Sequence, residues 1–298
     1  MNKVIWEELI ANTKALANRK IKVTEAISGG SFHQAWKLTL EKDEELFVKF
    51  GPKSALPMFL VEAKGLNILK RFADPVLMHI PQPICVRQIS NSAVLILPWL
   101  KLENKSQRSL GSGLAKLHQS STLQNPGHYG WDEDGFIGAG PQPGGWEKCW
   151  GDCFIKLRLN PQLSLAKSWG LELSGIKQTL EGLTNFLNDH QPKPSLVHGD
   201  LWSGNAFSLE DGRGVLIDPA SWWADREVDI AMTKLFGGFS QDFYLAYEKV
   251  WPLPKSAETR IELYNFYHLL NHANLFGGSY QTQCHSTLKS LERLIAKL

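Results

Sequence analysis

The sequence contains few cysteines, no long apolar run and no excess of charge of either sign, and each shortage excludes a class of protein. The four cysteines among 298 residues, Cys85, Cys149, Cys153 and Cys284, are too few and too irregularly spaced for a disulfide framework. The longest apolar run, 93–100, is far below the roughly 20 residues that a membrane-spanning helix needs. Lys and Arg number 32 against 30 Asp and Glu, a balance that does not favour binding to nucleic acid or to an anionic membrane.

The N-terminal segment carries acidic residues where a secretory signal peptide would be apolar. Glu7 and Glu8 interrupt it, while Trp6 and Leu9 mark one face of an amphipathic helix. The 43% hydrophobic and 21% charged residues are ordinary values for a globular protein. We therefore expect a cytoplasmic protein that acts as a monomer, with a dimer as the alternative.

Alternating apolar and polar residues predict a small β-rich unit in the first hundred positions. The runs 36–40 and 46–50 alternate and are joined by the charged turn 41–45, a pattern typical of a β-hairpin. The other predicted elements of this unit are a strand at 21–27, a helix around 59–72, and strands at 84–89 and 94–97.

Helical spacing dominates the rest of the chain. The predicted elements are a Gly- and Pro-rich loop over 125–146, helices around 146–159, 174–189, 226–250 and 256–276, a last helix toward the end of the sequence, and short strands at 195–198 and 215–217. We divide the chain into a β-rich unit, 1–97, and a larger helical unit, 98–298. The predicted fold class is α+β with two lobes.

Three features of the β-rich unit suit the binding of phosphate groups. Gly29 and Gly30, with Ser31, could close a hairpin over phosphate oxygens, although the same residues also suit a plain turn. Lys49 lies on the strand face opposite its apolar neighbours, where its charge could neutralise phosphate. Glu62, at the opening of the next helix, could pair with Lys49. The alternative for both is a solvated surface side chain.

The segment Leu-Val-His-Gly-Asp-Leu-Trp-Ser-Gly-Asn, 196–205, leads from a strand into a glycine-containing turn. Asp200 is positioned to accept the proton of a hydroxyl group. The amide oxygen of Asn205, five residues later, can coordinate a hard cation. Asp218 ends a short apolar strand and could bind Mg²⁺, although an Asp-Pro pair is also typical of a turn. His198 suits a buried brace that holds the turn by hydrogen bonds.

The string His-Gly-Asp-Leu-Trp-Ser-Gly-Asn at 198–205, followed by Leu-Ile-Asp at 216–218, resembles the catalytic core of the protein-kinase-like phosphotransferases. The full string resembles the signature of the fructosamine kinase (ketosamine-3-kinase) family. Three further segments are similar to that family: 62–66, 129–138 and 150–159. The resemblance extends over about 28–240, which is most of the chain.

The resemblance implies a fold and a reaction. The fold would be bilobal and protein-kinase-like, with a small β-rich N-lobe and a larger helical C-lobe. The reaction would be ATP-dependent phosphorylation of a ketosamine hydroxyl, the 3-hydroxyl on the family's pattern, in the repair of glycated molecules. Asp200 becomes the catalytic base, Asn205 and Asp218 become the Mg²⁺ ligands, and Lys49, held by Glu62, binds the phosphates of ATP.

The resemblance also implies where adenine binds. The joint Pro98-Trp99-Leu100 takes the place of the hinge whose backbone bonds the adenine edge. Pro98 has no N–H and can offer only its carbonyl, so Trp99 or Leu100 must donate.

The tryptophans near the catalytic segment are candidates for contact with the sugar. Trp202 lies inside that segment, and Trp222 and Trp223 follow Asp218 closely. An indole can cover the apolar face of a sugar while its N–H bonds a hydroxyl, and it is equally suited to packing in the core.

The sequence departs from the family at two places. The loop 28–32 lacks the cysteine that forms a redox disulfide in some members, so we predict no such switch there. The segment 219–225 lacks the glycine of a mobile activation loop, which favours a constitutively active kinase.

Two other interpretations stay open. A kinase of the same fold that acts on an aminoglycoside, choline or methylthioribose would share most of these residues, and the Leu-Trp-Ser-Gly at 201–204 is what favours ketosamines. A pseudokinase would bind nucleotide without turnover. The sequence also leaves open whether the ketosamine is a ribulosamine or a fructosamine, and whether it is free or protein-linked.

Overall fold

In the computed structural model, which describes residues 3–13, 16, 19–28 and 33–297, the first part of the chain forms a five-stranded antiparallel sheet. Side by side, its strands are β1 (Ile21–Ile27), β2 (Gln34–Leu40), β3 (Glu45–Pro52), β6 (Ser92–Pro98) and β5 (Cys85–Ile89). The predicted hairpin is confirmed as β2 and β3. Gly29, Gly30 and Ser31, predicted to contact phosphates, lie outside the described residues.

The two faces of this sheet are covered by different helices. Leu95 faces α2 (Leu56–Phe72), and Ile96 faces α1 (Lys3–Asn12), because successive side chains of a strand point to opposite sides. Lys49 of β3 pairs in register with Leu95, so its side chain lies on the α2 side of the sheet. The strand face predicted for Lys49 is therefore confirmed.

The five-stranded sheet with α1 and α2 is called the N-terminal lobe below. The rest of the chain is mainly helical and is called the C-terminal lobe. In chain order its helices are α3 (Arg108–Thr122), α4 (Trp150–Phe154), α5 (Asn160–Ala166), α6 (Ile176–His190), α7 (Glu227–Leu235), α8 (Gln241–Val250), α9 (Glu258–Phe276) and α10 (Ser279–Ile295). Helix α3 packs on α8, and α9 packs on both α7 and α10. Within the described residues, every helix falls short of the length and apolar character that crossing a membrane requires.

Short strands lie between these helices. In chain order they are β4 (Met78–His79), β7 (Tyr129–Trp131), β8 (Gly135–Ile137), β9 (Gly140–Gln142), β10 (Gly145–Glu147), β11 (Ser195–Val197), β12 (Ala206–Ser208), β13 (Gly214–Leu216) and β14 (Trp222–Ala224). They group as β10-β7-β14-β11, β12-β13-β4 and the hairpin β8-β9.

The structure corrects three of the sequence predictions. The segment 125–146, predicted as a loop, contains most of the strands β7 to β10. The single helix predicted over 226–250 is two helices, α7 and α8. Gly237 and Gly238 separate them with φ of 72° and 87°, left-handed values that favour glycine and end a right-handed helix. Helix α4 begins at Trp150 rather than near 146, and it continues through a short π-helical segment into α5.

Candidate active site

The segment 198–205 forms the connection between β11 and β12, and His198 holds it in place. The His198 ring is fully buried; its Nε2 lies 2.8 Å from the Ile217 carbonyl oxygen, and its Nδ1 lies 3.3 Å from the backbone nitrogen of Asp200. These partners assign the ring proton to Nε2, because Nδ1 must accept from the Asp200 N–H. The predicted brace is confirmed, and it ties the segment to the chain just before Asp218.

Asp229 of α7 also holds this segment in place by hydrogen bonds. Its carboxylate accepts backbone hydrogen bonds from His198 at 2.7 Å and Gly199 at 2.9 Å, and it lies 3.1 Å from Nε2 of His118. Burial alone would raise the pKa of Asp229, but the hydrogen bond to His118 and the other donors outweigh burial and hold it below its usual value. The sequence alone suggested Asp229 only as a possible contact for a substrate amine, since nothing in its local pattern shows that α7 packs against the segment.

Replacing Asp229 by asparagine is expected to lower the free energy of unfolding by about 2–3 kcal/mol, because an amide turns one acceptor into a donor facing buried N–H groups. Equilibrium unfolding in urea measures this change. Asp43→Asn is the matched control: Asp43 is exposed and pairs with Lys22 at the surface, so its effect should stay within about 0.5 kcal/mol. Equal stability of the two variants would show that Asp229 does not hold the segment.

Asp200 and Asn205 contact each other at the end of this connection. The amide nitrogen of Asn205 donates to the Asp200 carbonyl oxygen at 2.9 Å and to its carboxylate at 3.3 Å. Burial, together with the negative charge of Asp218, raises the pKa of Asp200 to about 7. A carboxylate with a pKa near 7 is well matched to accepting a proton at neutral pH.

Lys49 joins the two lobes through a partly buried ion-pair cluster. Its Nζ lies 2.9 Å from both carboxylate oxygens of Glu62 and 2.5 Å from Oδ1 of Asp218. Burial opposes the charge of Lys49, but attraction to Asp218 and Glu62 prevails and raises its pKa above the usual value. The sequence analysis placed Glu62 at the opening of its helix. Helix α2 begins at Leu56, so Glu62 lies in its second turn.

Oxygen atoms suited to Mg²⁺ lie beside this cluster. Asn205 uses its amide nitrogen on Asp200, which leaves Oδ1 for a ligand, and Asp218 bonds Lys49 through Oδ1, which leaves Oδ2. Asp218 has a φ of 53°, a left-handed value uncommon outside glycine and one that is enriched at functional sites. One carboxylate oxygen and one amide oxygen match the hard-donor preference of Mg²⁺, so the two predicted ligands fit the ion.

A second cluster of metal-binding residue types lies in the core. His190, Asp225 and Glu227 have their ligand atoms within 4.8 Å of one another. The guanidinium of Arg260 bonds Glu227 at 2.7 and 2.8 Å, and the Tyr264 hydroxyl donates to Asp225 at 2.7 Å. Since a buried cation already neutralises this cluster, it is a structural ion-pair network rather than a metal site.

The catalytic segment and the Lys49 cluster line one cavity of about 750 Å³ between the lobes. Of the predicted site residues, those on its wall are Lys49, Glu62, Asp200, Trp202, Asn205 and Asp218. Its apolar walls include Phe47, Phe207 and Ile217, which the sequence analysis missed. Strand alternation could have found Phe47, because it lies two residues before Lys49 on the same strand face.

The predicted hinge lies at the end of β6 but not on the cavity wall. The N–H of Trp99 donates to the Glu45 carbonyl oxygen at 3.2 Å, so it is not available to adenine. The Trp99 ring contacts Phe47, which does line the cavity, with ring centres 6.5 Å apart. Pro98 has no N–H, and Leu100 is therefore the hinge residue whose N–H could serve a nucleotide.

The structure corrects the prediction for two of the three tryptophans. Trp222 is fully buried and stacks on Trp150, and the Arg158 guanidinium lies 3.9 Å from its ring centre. Trp223 is also buried and contacts Phe72 edge to face. Both belong to β14, where successive side chains point to opposite faces of the sheet, and both of these faces are covered, so each tryptophan packs in the core. They therefore do not line the cavity.

Trp202 does line the cavity, with 39% of its surface exposed. Its ring lies over Gly204, where any Cβ atom would come within 2.1–2.5 Å of the indole carbons. Glycine at this position therefore lets the indole fold over its own loop and present a face to the cavity.

Comparison with known proteins agrees with this geometry. The sequence model of the fructosamine kinase family matches residues 5–294. The chain belongs to the fructosamine kinase family. It is an ATP-dependent phosphotransferase, as the catalytic segment led us to expect. A probable ketoamine kinase of Synechocystis sp. is 37% identical to this fructosamine kinase family member over 294 residues, 97% of each chain.

Solved structures agree with the fold of this family member. The crystal structure of an assigned fructosamine-3-kinase from Haemophilus somnus superposes with a TM-score of 0.85 at 28% identity, covering 96% of this chain and 97% of the other. Choline kinase LicA from Streptococcus pneumoniae superposes with a TM-score of 0.63 at 15% identity, covering 98% and 99%, which shows the shared fold alone. The predicted bilobal kinase-like fold is confirmed.

Proposed function

We propose that this kinase phosphorylates the 3-hydroxyl of ketosamines, free or protein-linked, and so serves in the repair of glycated molecules. The observation that carries the proposal is the meeting of Asp200, inside the family's His-Gly-Asp-Leu-Trp-Ser-Gly-Asn segment, with the Lys49–Glu62–Asp218 cluster in one cavity. The ketoamine kinases to which the chain is similar support the choice of acceptor.

Asp200 would act on the acceptor. Its carboxylate takes the proton of the hydroxyl as the oxygen forms a bond to the γ-phosphorus of ATP, the bond to the leaving oxygen of ADP breaks, and the proton stays on Asp200. The hydrogen bond from Asn205 keeps the Asp200 carboxylate in one orientation. His198 and Asp229 fix the backbone on which Asp200 is carried.

Lys49 would act on the donor. With Glu62 holding its Nζ, the ammonium is directed into the cavity, where it binds phosphate oxygens of ATP. Asn205 and Asp218 would hold Mg²⁺ through the oxygens that their other bonds leave free. The ion would supply neutralisation of phosphate charge. Phosphoryl transfer needs mainly positioning and charge neutralisation from the protein, and these residues provide both.

The experiment that tests this function measures ADP release from Mg·ATP with a panel of acceptors: a ribulosamine, a fructosamine, a glycated protein, unmodified lysine, an aminoglycoside and choline. Release with a ketosamine, together with a product phosphorylated on its 3-hydroxyl by NMR, is the expected result. Release only with the aminoglycoside or choline would overturn the acceptor. ATP binding without turnover on any acceptor would indicate a pseudokinase.

A further inference from the structure

Part of the cavity wall is a compact aromatic cluster that the mechanism above does not use. It is formed by Phe236, His272, Phe276 and Tyr280, all of which line the cavity. The His272 ring centre lies 4.7 Å from that of Phe236, 5.2 Å from Tyr280 and 5.7 Å from Phe276. Phe276 has 51% of its surface exposed, an unusual fraction for a side chain within an aromatic cluster.

The fold fixes this cluster beside the catalytic segment. His272 and Phe276 are one turn apart on α9, and Gly277 and Gly278, with φ of 64° and 61°, reverse the chain into α10 so that Tyr280 returns beside them. Phe236 directly follows α7 and comes two residues before Gly238. A Cβ on Gly238 would come within 2.5 Å of the Ser203 side chain, so this side chain of the catalytic segment packs on the backbone beside Phe236.

The charges around the cavity favour a cationic ligand. Among the described residues that line it, Glu62, Asp200 and Asp218 are acidic, and the basic types are Lys49, His33 and His272. Lys49 is already paired with Glu62 and Asp218, and burial together with the charge of Lys49 lowers the pKa of His33. Burial lowers the pKa of His272, so its ring is neutral at pH 7, and its Nδ1 lies 2.9 Å from the His268 carbonyl oxygen. The cluster therefore offers ring faces and no competing positive charge.

We infer that this aromatic cluster binds the protonated nitrogen of the acceptor by cation–π contact, with the substituent of that nitrogen lying over Phe276. The inference rests on the proposed function, because a ketosamine carries its nitrogen on C1, four covalent bonds from the 3-hydroxyl oxygen. That spacing lets Asp200 reach the hydroxyl while the nitrogen lies at a neighbouring wall. Aromatic faces attract substituted ammonium groups, most strongly where water is excluded.

The test compares two acceptors of nearly the same shape: an N-alkyl 1-amino-1-deoxyfructose, and the ether with oxygen in place of nitrogen, which lacks both the positive charge and its N–H donors. The readout is the ratio of their kcat/KM values within each variant. We expect the wild-type enzyme to prefer the amine by about tenfold or more, and Phe276→Leu and Tyr280→Leu each to reduce that ratio to about threefold or less. Tyr280→Phe, which keeps the ring face, should retain the wild-type ratio.

The ratio separates a binding role from a structural one. If Phe276→Leu and Tyr280→Leu lower both kcat/KM values equally, the cluster serves only packing and the inference is overturned. A wild-type enzyme that phosphorylates the ether as well as the amine also overturns it, while leaving the proposed function intact. Phosphorylation of neither acceptor, with ATP still bound, overturns the proposed function and this inference together.

Discussion

The Asp200→Asn variant is expected to bind ATP nearly as well as the wild type and to lose about 10³-fold or more in kcat, because a positioned general base typically contributes 10²–10⁴-fold. Asparagine keeps the shape of the side chain and can still contact Asn205, but its amide cannot take up the hydroxyl proton. Partial burial raises the pKa of Asp200 to about 7, so the wild-type carboxylate is a base of suitable strength at neutral pH, and the amide that replaces it is not.

The measurement is ADP release with a saturating ketosamine, alongside the dissociation constant for ATP measured by calorimetry. Asp211→Asn is the matched control, since it makes the same chemical change at an exposed turn, where Asp211 pairs with Arg213. The control should keep full activity. If Asp200→Asn retains more than about a tenth of the wild-type kcat, Asp200 is not the base, because that loss is below the range for removing one.

Lys49→Met is expected to lower kcat/KM for ATP by about 10³-fold, since it removes the positive charge aimed at the phosphates while keeping the length of the side chain. The same change leaves Glu62 and Asp218 facing each other without a cation. Breaking a buried pair in this way typically costs about 3–5 kcal/mol. Lys53→Met, on an exposed lysine of the same lobe, should leave both activity and stability unchanged.

The stability loss in Lys49→Met should depend on pH with a definite sign. Burial raises the pKa of Glu62 to about 7 even beside Lys49, and removing Lys49 raises it further. An acid whose folded-state pKa is raised stabilises the fold below its unfolded pKa, and that contribution is lost as pH rises through the folded value. Urea unfolding should therefore show a larger loss at about pH 8 than at about pH 6.

A double variant separates the two effects of Lys49. Lys49→Met with Glu62→Gln removes the unpaired carboxylate of Glu62. The double variant should therefore regain most of the lost stability, and the difference between its stability losses at about pH 6 and about pH 8 should disappear. Its kcat/KM for ATP should remain low, because the phosphate-binding charge is still absent. Recovery of activity in the double variant would show that Lys49 serves only to neutralise Glu62.

The polar and charged residues of the cavity could be predicted from the sequence, because the position of each depends on its own short segment of chain. Asp200 and Asn205 lie on one short connection, and alternation along β3 determines the face of Lys49. The sequence offered the pairing of Lys49 with Glu62 as one of two possibilities, and the resemblance to the family favoured it. That contact joins a strand to a helix, and neither local pattern specifies it.

Long-range packing determined what the sequence analysis missed. Trp222 and Trp223 follow Asp218 closely, yet they point to opposite faces of β14, and packing against Trp150 on one face and Phe72 on the other buries both away from the cavity. Phe236 and Tyr280 are 44 residues apart in sequence, and only the packing of α9 against α7 and α10 brings them together. No periodic pattern of apolar residues in the sequence indicates a contact between residues so far apart.

The small strand β4 limits how the enzyme can open. The chain leaves α2 of the N-terminal lobe, crosses to the other lobe, and pairs Met78 and His79 with Gly214 and Val215 of β13 before returning to β5. The lobes are thus joined at two separated places, at β4 and again after β6. Two bodies tethered at two points keep one rotational degree of freedom, about the line through the tethers. We therefore expect the lobes to rock about this one axis rather than to move as if on a free hinge.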